Sequence, residues 1–283
     1  MSELVAMLEN YNIDIAGIQE TRMLGQQRIK EQGWDIILSG RTDNMHTGGV
    51  GLVLSQRASK ALIEYEFIDE RLLNVRFFSR HAKLSIIVAY APTEEATDEE
   101  NKLDAVLAKV PSHDVCTIIG DLNAKEGTAA DQCLRVIGRH GAGSSANNNE
   151  TRLLELCTTH NLVIGGTLFP HRRINTTTWK SPNGTTLNQI DHIIIRGKWR
   201  RSLQDVRSYN GADIYSDHKL VISKVRTSLA KIKRPPEIRI FADHLLRIPK
   251  VKEEFSLKLS NRFKALADLG AEESVDKSWK SQK

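Results

Sequence analysis

Short runs of apolar and β-branched residues recur along most of the chain and predict its strands. In most of these runs nearly every position is apolar, which is typical of strands that are buried on both faces of a sheet. The predicted strands cover residues 34–38, 50–54, 72–78, 84–90, 115–119, 190–195 and 219–225. Helical patterns lie between them at residues 3–11, 97–110 and 151–160. We therefore predict an α/β (α+β) fold, a four-layer sandwich of two mainly antiparallel β-sheets flanked by helices.

A Lys-Arg-Pro-Pro sequence at residues 233–236 marks a change in the pattern. The residues that follow have a helical pattern but are highly charged. Their apolar positions are Phe241, Leu245, Leu246, Phe255, Leu259, Phe263 and Leu266. We predict one domain over residues 1–229, followed by a basic linker and a helical tail over residues 230–283.

The composition is that of a folded protein without a membrane segment. Of the 283 residues, 40% are hydrophobic and 27% are charged, which is enough to bury a core. No apolar run reaches the roughly 18 residues needed to span a bilayer. The N-terminus lacks the basic, apolar and small-residue regions that follow one another in a signal peptide. We therefore expect an intracellular protein. Cys116, Cys133 and Cys157 have no CxxC spacing, which argues against a disulfide partner and a thiolate zinc site.

Charge is distributed unevenly along the sequence. Residues 1–230 carry 27 basic and 27 acidic side chains, whereas residues 231–283 carry 13 and 8, so the net charge of +5 lies in the tail. Within the neutral part, residues 171–201 contain seven Lys or Arg residues and a single acid, Asp191. This segment could contact a phosphate backbone, and an ordinary solvated face is the alternative.

Acidic, amide and imidazole side chains lie at the ends of several predicted strands. They are Glu20 after IDIAGI, Tyr90 at the end of LSIIVAY, Asp121 and Asn123 after VCTII, Asp191 within QIDHIII, and Asp217 and His218 before KLVISKV. Carboxylates at strand ends can converge on one edge of a sandwich and supply oxygen ligands to Mg²⁺. Each motif alone is also compatible with a turn or a surface carboxylate. Their occurrence together favours metal-assisted phosphoester hydrolysis.

The order of these motifs resembles a known family. QET, YAPT, GDLNAK, the TW…SPNG…QIDHI block and SDHKLV occur here as in the endonuclease/exonuclease/phosphatase superfamily. The resemblance covers residues 1 to about 227. It is strongest to the apurinic-endonuclease-like domain of RTE-type non-LTR retrotransposons and to the craniofacial-development-protein-2-like genes derived from them. The stretches TGGVGL at 47–52, RLLELC at 152–157 and TLFPHR at 167–172 favour that branch.

The resemblance implies roles for the residues that match. Glu20 is similar to the metal-binding glutamate, and Asp121 to the carboxylate that orients or deprotonates the attacking water. Asn123 would bind the scissile phosphate or that water, and Tyr90 would contact the phosphate or the leaving group. Mg²⁺ is the implied metal, with Mn²⁺ as a substitute.

Further residues match a buried pair and a DNA-contacting region. Asp191 and His218 resemble a carboxylate and imidazole pair in which the acid sets the tautomer of the ring. Asp217 would be a second metal ligand. The residues expected to contact DNA are Arg172, Arg173, Trp179 and Asn183.

Three features of the sequence depart from the family pattern. Glu150 replaces a typical glycine beside Arg152. Related domains begin with a strand that carries a Trp-Asn-Val-Arg-like motif, whose asparagine helps to complete the metal site. This sequence starts within the following helix, so we expect the first strand to be missing. Gly166 stands before Thr167 where related sequences have an asparagine.

Three functions follow from the resemblance. The leading hypothesis is a Mg²⁺-dependent DNA endonuclease that nicks a phosphodiester and leaves a 3′-hydroxyl. The second is a catalytically impaired derivative that acts as a DNA-binding or interaction protein. The third is a phosphatase of small phosphoesters. The basic segment at residues 171–201 favours a nucleic-acid substrate over this third function. We expect DNA to be the partner of the protein and the protein itself to be a monomer. The nucleus is favoured over the cytoplasm as its location.

Overall fold

The computed structural model describes residues 2–92, 100–125, 135–141, 147–181, 183–211, 216–227 and 243–268. The chain divides into two compact units, Met1–Leu229 and Ala230–Lys283. The second unit contains a 3-10 helix at Asp243–Arg247 and one long α-helix, Pro249–Asp268. The first unit contains all the strands of the described residues.

The strands in chain order are β1 (Ile15–Gln19), β2 (Gln26–Glu31), β3 (Trp34–Ser39), β4 (Val50–Leu54), β5 (Leu62–Phe67), β6 (Leu72–Phe77), β7 (Leu84–Tyr90), β8 (Val115–Asp121), β9 (Leu162–Ile164), β10 (Trp179–Lys180), β11 (Leu187–Asn188), β12 (Asp191–Arg196), β13 (Leu203–Tyr209) and β14 (Leu220–Val225). The α-helices are α1 (Ser2–Asn10), α2 (Gln56–Ala61), α3 (Glu100–Lys109), α4 (Asn148–Thr159) and α5 (Pro249–Asp268). Short 3-10 helices of the first unit lie at Gly165–Thr167, Arg173–Asn175 and Gly197–Ser202.

Two large sheets form the body of the first unit. One has four strands in the order β1-β4-β3-β2, and the other has six in the order β5-β6-β7-β8-β12-β9. All neighbouring strands are antiparallel except β7 and β8. Parallel pairing requires a long crossover, and α3 lies within it. Two-stranded ribbons, β10-β11 and β13-β14, complete the unit.

The alternation of side chains along each strand creates the layers. In β3, Ile36 and Leu38 pack on the side of α1, whereas Ile37 packs between the sheets. In β7, Val88 belongs to the core between the sheets and Ile87 to the core beneath the helices. The α3 and α4 helices cover that outer face. The residues they contribute are Val106, Leu107, Leu153, Leu156 and Cys157.

These layers confirm the predicted four-layer α/β sandwich of two mainly antiparallel sheets. Every strand and helix predicted in the first unit is present, with boundaries that differ by a few residues. Strand β14, whose sequence LVISKV includes polar residues, is only partly buried. The structure also contains strands that the apolar runs do not indicate, including β2, β5 and β13.

In the second unit, α5 matches the predicted helical tail. Several predicted apolar positions of the unit are exposed, and Phe241 lies outside the described residues. The exposed ones are Leu245, Phe255, Leu259, Phe263 and Leu266. No helix in the described part of the chain is long and apolar enough to cross a membrane. Cys116 and Cys157 are buried and free, and Cys133 lies outside the described residues.

Candidate active site

Three neighbouring strands of the six-stranded sheet place polar residues side by side at one end of the sheet, where β7 and β8 end and β12 begins. We call this end of the sheet the rim. The parallel register aligns Tyr90 of β7 with Asp121 of β8, and the antiparallel register aligns Asp121 with Asp191 of β12. Gly120 precedes Asp121, and a Cβ at Gly120 would lie 1.8 Å from the carbonyl oxygen of Ala89. Only glycine therefore permits the close approach of β7 and β8 at the rim.

Asp121, Asp191 and His218 form a compact group at the rim. One potential ligand atom from each residue lies within 4.8 Å of the other two. His218 reaches the group because it pairs with Trp179 in an isolated antiparallel bridge. Its Nδ1 lies 3.0 Å from Oδ2 and 3.2 Å from Oδ1 of Asp191. Asp121 is buried, whereas Asp191 and His218 are partly exposed.

Glu20 and Tyr90 connect the two sheets beside this group. Glu20 directly follows β1, and the Tyr90 hydroxyl donates a hydrogen bond of 2.7 Å to its Oε1. Glu20 has a φ of 51°, which is an uncommon conformation for a residue with a side chain and is often found at functional sites. The guanidinium carbon of Arg71 lies 5.3 Å from the centre of the Tyr90 ring. Tyr90 is thus contacted both at its hydroxyl, by Glu20, and at the face of its ring, by Arg71.

Asn123 is fixed by bonds from both its backbone and its side chain. Its N–H donates to Oδ1 of Asp121 at 2.9 Å, and its Nδ2 donates to the Ala91 carbonyl at 2.9 Å. The side chain of Asn147 donates from Nδ2 to the Asn123 carbonyl at 2.8 Å. Sequence reasoning missed Asn147, although an asparagine run before a helix is a recognisable N-cap signal and Asn147 caps α4.

Asp217 lies apart from the three-residue group, although it is adjacent to His218. Its Oδ2 accepts a hydrogen bond of 2.8 Å from Nε1 of Trp179. Asn183 lies in the turn of the β10-β11 ribbon, where its Oδ1 accepts bonds from Ser181 and Thr185. The bond between Trp179 and Asp217 therefore holds the β10-β11 ribbon against Asp217 next to the rim.

The basic segment at residues 171–201 is divided between two ends of the molecule. Arg172 and Arg173 are exposed and lie at the 3-10 helix near the rim. Strand β12 then runs from Asp191 at the rim to Arg196, about 17 Å away at 3.3 Å per residue. Lys198, Arg200 and Arg201 follow Arg196 and lie at the opposite end of the sheet. Strand β12 therefore divides the basic segment into two groups, one near the rim and one at the opposite end of the six-stranded sheet.

Thr178 and Lys219 support the rim; both lie within the quoted TW and SDHKLV motifs, but the sequence assigned a role to neither. The hydroxyl oxygen of Thr178 accepts hydrogen bonds from the N–H groups of Ile190, at 3.0 Å, and Asp191, at 3.1 Å. Lys219 follows His218 and donates from Nζ to the Ile174 carbonyl at 3.4 Å. Burial and the charge of Lys180 lower the pKa of Lys219 below its ordinary value.

Burial and neighbouring charges control protonation at the rim. Burial, followed by the charge of Asp191, raises the pKa of Asp121 to about 7. Burial alone would lower the pKa of His218, but the hydrogen bond and charge of Asp191 and the other carboxylates raise it to about 9. Burial and the bond to Glu20 raise the pKa of Tyr90 above its ordinary value. At neutral pH, the imidazole is therefore charged and the phenol retains its proton.

These side chains fit a divalent cation. Carboxylate oxygens are the ligands that hard cations prefer. Asp121 and Asp191 place two such groups close together, and burial, followed by the charge of Asp191, raises the pKa of Asp121. A divalent metal would balance their negative charges. Among the described residues, the carboxylates of Asp121 and Asp191, with His218 beside them, are a group that could hold it.

A sandwich with two packed sheets, outer helices and this acid and imidazole group at its rim belongs to the fold class of hydrolytic nucleases and phosphatases. Residues 1–218 match the model of the Endonuclease/Exonuclease/phosphatase family. The chain belongs to this family, and the resemblance in its sequence motifs is thereby confirmed.

Two relatives carry the name craniofacial development protein 2. The chain is 38% identical over 217 residues to the protein from Bos taurus and 36% identical over 217 residues to that from Tragulus javanicus. Each match covers 74% of this chain but only 36% and 37% of the respective relative. The chain thus spans little more than a third of the length of these proteins.

Solved structures share the fold at low sequence identity. The endonuclease domain of TRAS1, a telomere-specific non-LTR retrotransposon, has a TM-score of 0.56 and 13% identity, and the match covers 80% of this chain and 91% of that domain. The AP endonuclease LMAP from Leishmania major has a TM-score of 0.60 and 14% identity, with 80% and 82% of the two chains covered. These matches show the architecture.

Proposed function

We propose that the chain is a Mg²⁺-dependent DNA endonuclease that hydrolyses a phosphodiester and leaves a 3′-hydroxyl. The observation that carries this proposal is the convergence of Asp121, Asp191 and His218 within 4.8 Å at a rim that also bears Glu20 and Tyr90. The names of the TRAS1 domain and the LMAP enzyme support the choice of DNA as substrate.

The chain's own residues supply acid, base and positioning groups. Asp121 is the base that takes a proton from the attacking water, since its pKa of about 7 allows it to be ionised near neutral pH. The bond from the Asn123 N–H fixes the Asp121 carboxylate. Water adds to phosphorus as the bond to the 3′-oxygen breaks, and that oxygen leaves as a hydroxyl after it takes a proton from solvent water.

His218 stabilises the charge that develops on the phosphate. Asp191 holds its Nδ1, which leaves Nε2 as the nitrogen that can face a substrate. The pKa of about 9 keeps the ring positively charged at neutral pH, where it attracts the phosphate oxygens. Tyr90 keeps its proton and can donate a hydrogen bond to the phosphate or the leaving oxygen.

The metal and the basic residues complete the proposal. When bound, Mg²⁺ neutralises negative charge on the phosphate and lowers the pKa of coordinated water. Arg172, Arg173 and Trp179 lie beside the rim and are suited to contact the DNA backbone on either side of the scissile bond. The residues near the rim thus combine phosphate binding with water activation.

Plasmid nicking tests this function. With Mg²⁺, the purified chain should convert supercoiled plasmid to the relaxed form, and Asp121→Ala should lower the rate by about 100-fold or more if Asp121 activates water. The matched control is Asp104→Ala, which removes an exposed carboxylate paired with His160 away from the rim.

Each outcome of the nicking experiment has a definite meaning. Equal nicking by the wild type and Asp121→Ala would identify a contaminating nuclease and contradict the proposal. If the wild type binds DNA but does not nick it at any Mg²⁺ concentration, the chain is instead a DNA-binding derivative of the family. Preferential hydrolysis of small phosphate monoesters would identify a phosphatase.

A further inference from the structure

The end of the six-stranded sheet opposite the rim collects basic residues from distant parts of the sequence. We call it the basic end and define it by residues 78–83, 111–114, 197–202 and 226. Its Lys and Arg residues are Arg80, Lys83, Lys198, Arg200, Arg201 and Arg226, and its single acidic residue is Asp114. Most of these cations are exposed, whereas Asp114 is fully buried.

Backbone and side-chain hydrogen bonds connect the segments of the basic end. The Lys83 carbonyl accepts from the Val115 N–H at 2.8 Å, and Nη1 of Arg196 donates to the Pro111 carbonyl at 2.7 Å. The Arg226 N–H donates to the Ser202 carbonyl at 2.7 Å. The segments are therefore fixed next to one another by the sheet, and their charges form one surface.

The acidic residues near the basic end do not neutralise its exposed cations. Asp114 is bound by Arg76, which also contacts Glu64. Among the described residues, no ion pair includes Arg80, Lys198, Arg200 or Arg201. A concentration of exposed cations on a domain that is neutral as a whole favours a polyanion as the ligand.

An exposed aromatic side chain in the same surface narrows the choice of polyanion. Phe78 begins the loop between β6 and β7, and 65% of its surface is exposed. It lies two residues before Arg80, which is also exposed. An exposed aromatic ring beside cations is suited to stack on an unpaired base while the cations contact the phosphates. A duplex would present its phosphates but would keep its base faces covered.

The spacing of the two groups suits several nucleotides. Phe78 directly follows β6, and Lys198 follows β12; β7 and β8 lie between these two strands, so the strand ends lie about 14 Å apart. We propose that the basic end is a second nucleic-acid surface that binds a single strand, with Phe78 as its stacking platform and Lys198, Arg200 and Arg201 as its phosphate contacts.

Fluorescence anisotropy of the full chain tests this surface. The probe is a labelled single-stranded 12-mer in EDTA, with RNA and DNA of the same sequence compared. The triple variant Lys198→Glu, Arg200→Glu and Arg201→Glu should lower the affinity by about 10-fold or more and flatten the salt dependence by about two units. Lys30→Glu reverses an equally exposed cation on β2 and should change the affinity by less than about 3-fold.

Substitutions of Phe78 distinguish the contribution of base stacking to single-strand binding from that of the cations. Phe78→Ala should weaken binding by about 5- to 100-fold, and Phe78→Trp should retain it, because the aromatic face is preserved. Phe78→Leu keeps an apolar side chain of similar size without that face and should behave like Phe78→Ala. Equal affinity of all four proteins would overturn the stacking platform and with it the single-strand assignment.

A competition experiment distinguishes this surface from the rim. Unlabelled duplex at a concentration that saturates the rim should leave single-strand binding in place, and complete displacement would overturn a separate surface. Polyglutamate of equal charge should compete weakly, and competition as strong as that of the oligonucleotide would identify an acidic protein as the ligand instead. The inference does not rest on the proposed function. If the chain binds a single strand at the basic end but does not nick DNA, only the proposed nuclease activity is refuted.

Discussion

At the scale of single residues, adjacent side chains at the rim have different environments. Asp217 and His218 are neighbours in sequence, yet the Asp217 carboxylate bonds to Trp179 while His218 bonds to Asp191. The group that could hold a metal contains Asp191 and excludes Asp217. The sequence motif alone cannot separate these roles, because the separation depends on the pairing of residues 217–219 with residues 178–180.

We predict that Asp217→Asn leaves the metal requirement almost unchanged. The Mg²⁺ concentration for half-maximal nicking should move by about 2-fold or less, as for a surface substitution, because the amide oxygen can still accept the Trp179 bond. Asp191→Asn should raise that concentration by about 10-fold or more. The measurement is a Mg²⁺ titration of plasmid nicking. Equal shifts in both variants would make Asp217 a metal ligand, as the family resemblance implies.

At the scale of elements, a buried ion pair connects three strands of the six-stranded sheet. Asp114 precedes β8 and accepts a bond of 2.7 Å from Nε of Arg76 on β6 and one of 2.9 Å from the Ser85 hydroxyl on β7. Burial raises the pKa of Asp114, but these partners outweigh it and hold the pKa below its ordinary value of 3.8. The pair fixes the strands whose other ends form the rim.

We predict that Asp114→Ala strongly destabilises the first unit. The variant leaves Arg76 without its buried partner, so the free energy of unfolding should fall by about 3–5 kcal/mol. Urea unfolding at neutral pH measures the change. The control is Asp104→Ala, whose carboxyl is 55% exposed and should contribute less than about 1 kcal/mol.

The loss of stability caused by Asp114→Ala should depend on pH. Because the folded pKa of Asp114 is lowered, its stabilisation is fully present above 3.8 and is lost as the pH falls through the folded pKa. The difference between the wild type and Asp114→Ala should therefore be constant at neutral pH and decrease below pH 3.8. A difference that grows as the pH falls through this range would contradict the assigned ion pair.

The elements also show what the sequence can predict. Buried runs such as WDIIL and VGLVL identify β3 and β4 because almost every side chain is apolar. Strand β2 has the sequence QQRIKE, with alternating exposure and one strongly apolar residue, so its identity as a strand depends on pairing with β3. Site residues were likewise indicated by motifs, but the bond between Glu20 and Tyr90 joins residues 70 positions apart and requires the folded sheets.

At the scale of the whole molecule, the sandwich separates two kinds of surface. The carboxylates of Asp121 and Asp191 lie at the rim, and a group of exposed cations lies at the basic end, although the first 230 residues are neutral in total. Proximity in sequence does not determine proximity in space here, because Arg173 and Arg200 belong to one basic segment but to different ends of the first unit. The strand direction of β12 determines this division.

We predict that the first unit folds without the second. A chain that ends at Leu229 should keep its unfolding midpoint within a few degrees of the full chain, because the two compact units have separate internal contacts. It should also lose some non-specific DNA affinity at low salt, since the net positive charge lies in the tail. Differential scanning calorimetry and filter binding measure these effects. Aggregation of the shortened chain would show that the tail covers part of the core.

The central claim is that the rim performs Mg²⁺-dependent cleavage of DNA, and single-turnover kinetics test it most directly. An end-labelled duplex is cleaved over a series of Mg²⁺ concentrations by the wild type, His218→Gln and His160→Gln. His160 bonds to Asp104 at 2.7 Å and is thus a matched imidazole and carboxylate pair outside the rim.

The wild type and His160→Gln should cleave at equal rates that rise with Mg²⁺ to a plateau, and the products should carry a 3′-hydroxyl and a 5′-phosphate. His218→Gln should be slower by about 100-fold or more, because the charged ring that stabilises the phosphate is lost. Cleavage that is independent of Mg²⁺, or equally fast with His218→Gln, would contradict the assignment of the rim as the active site.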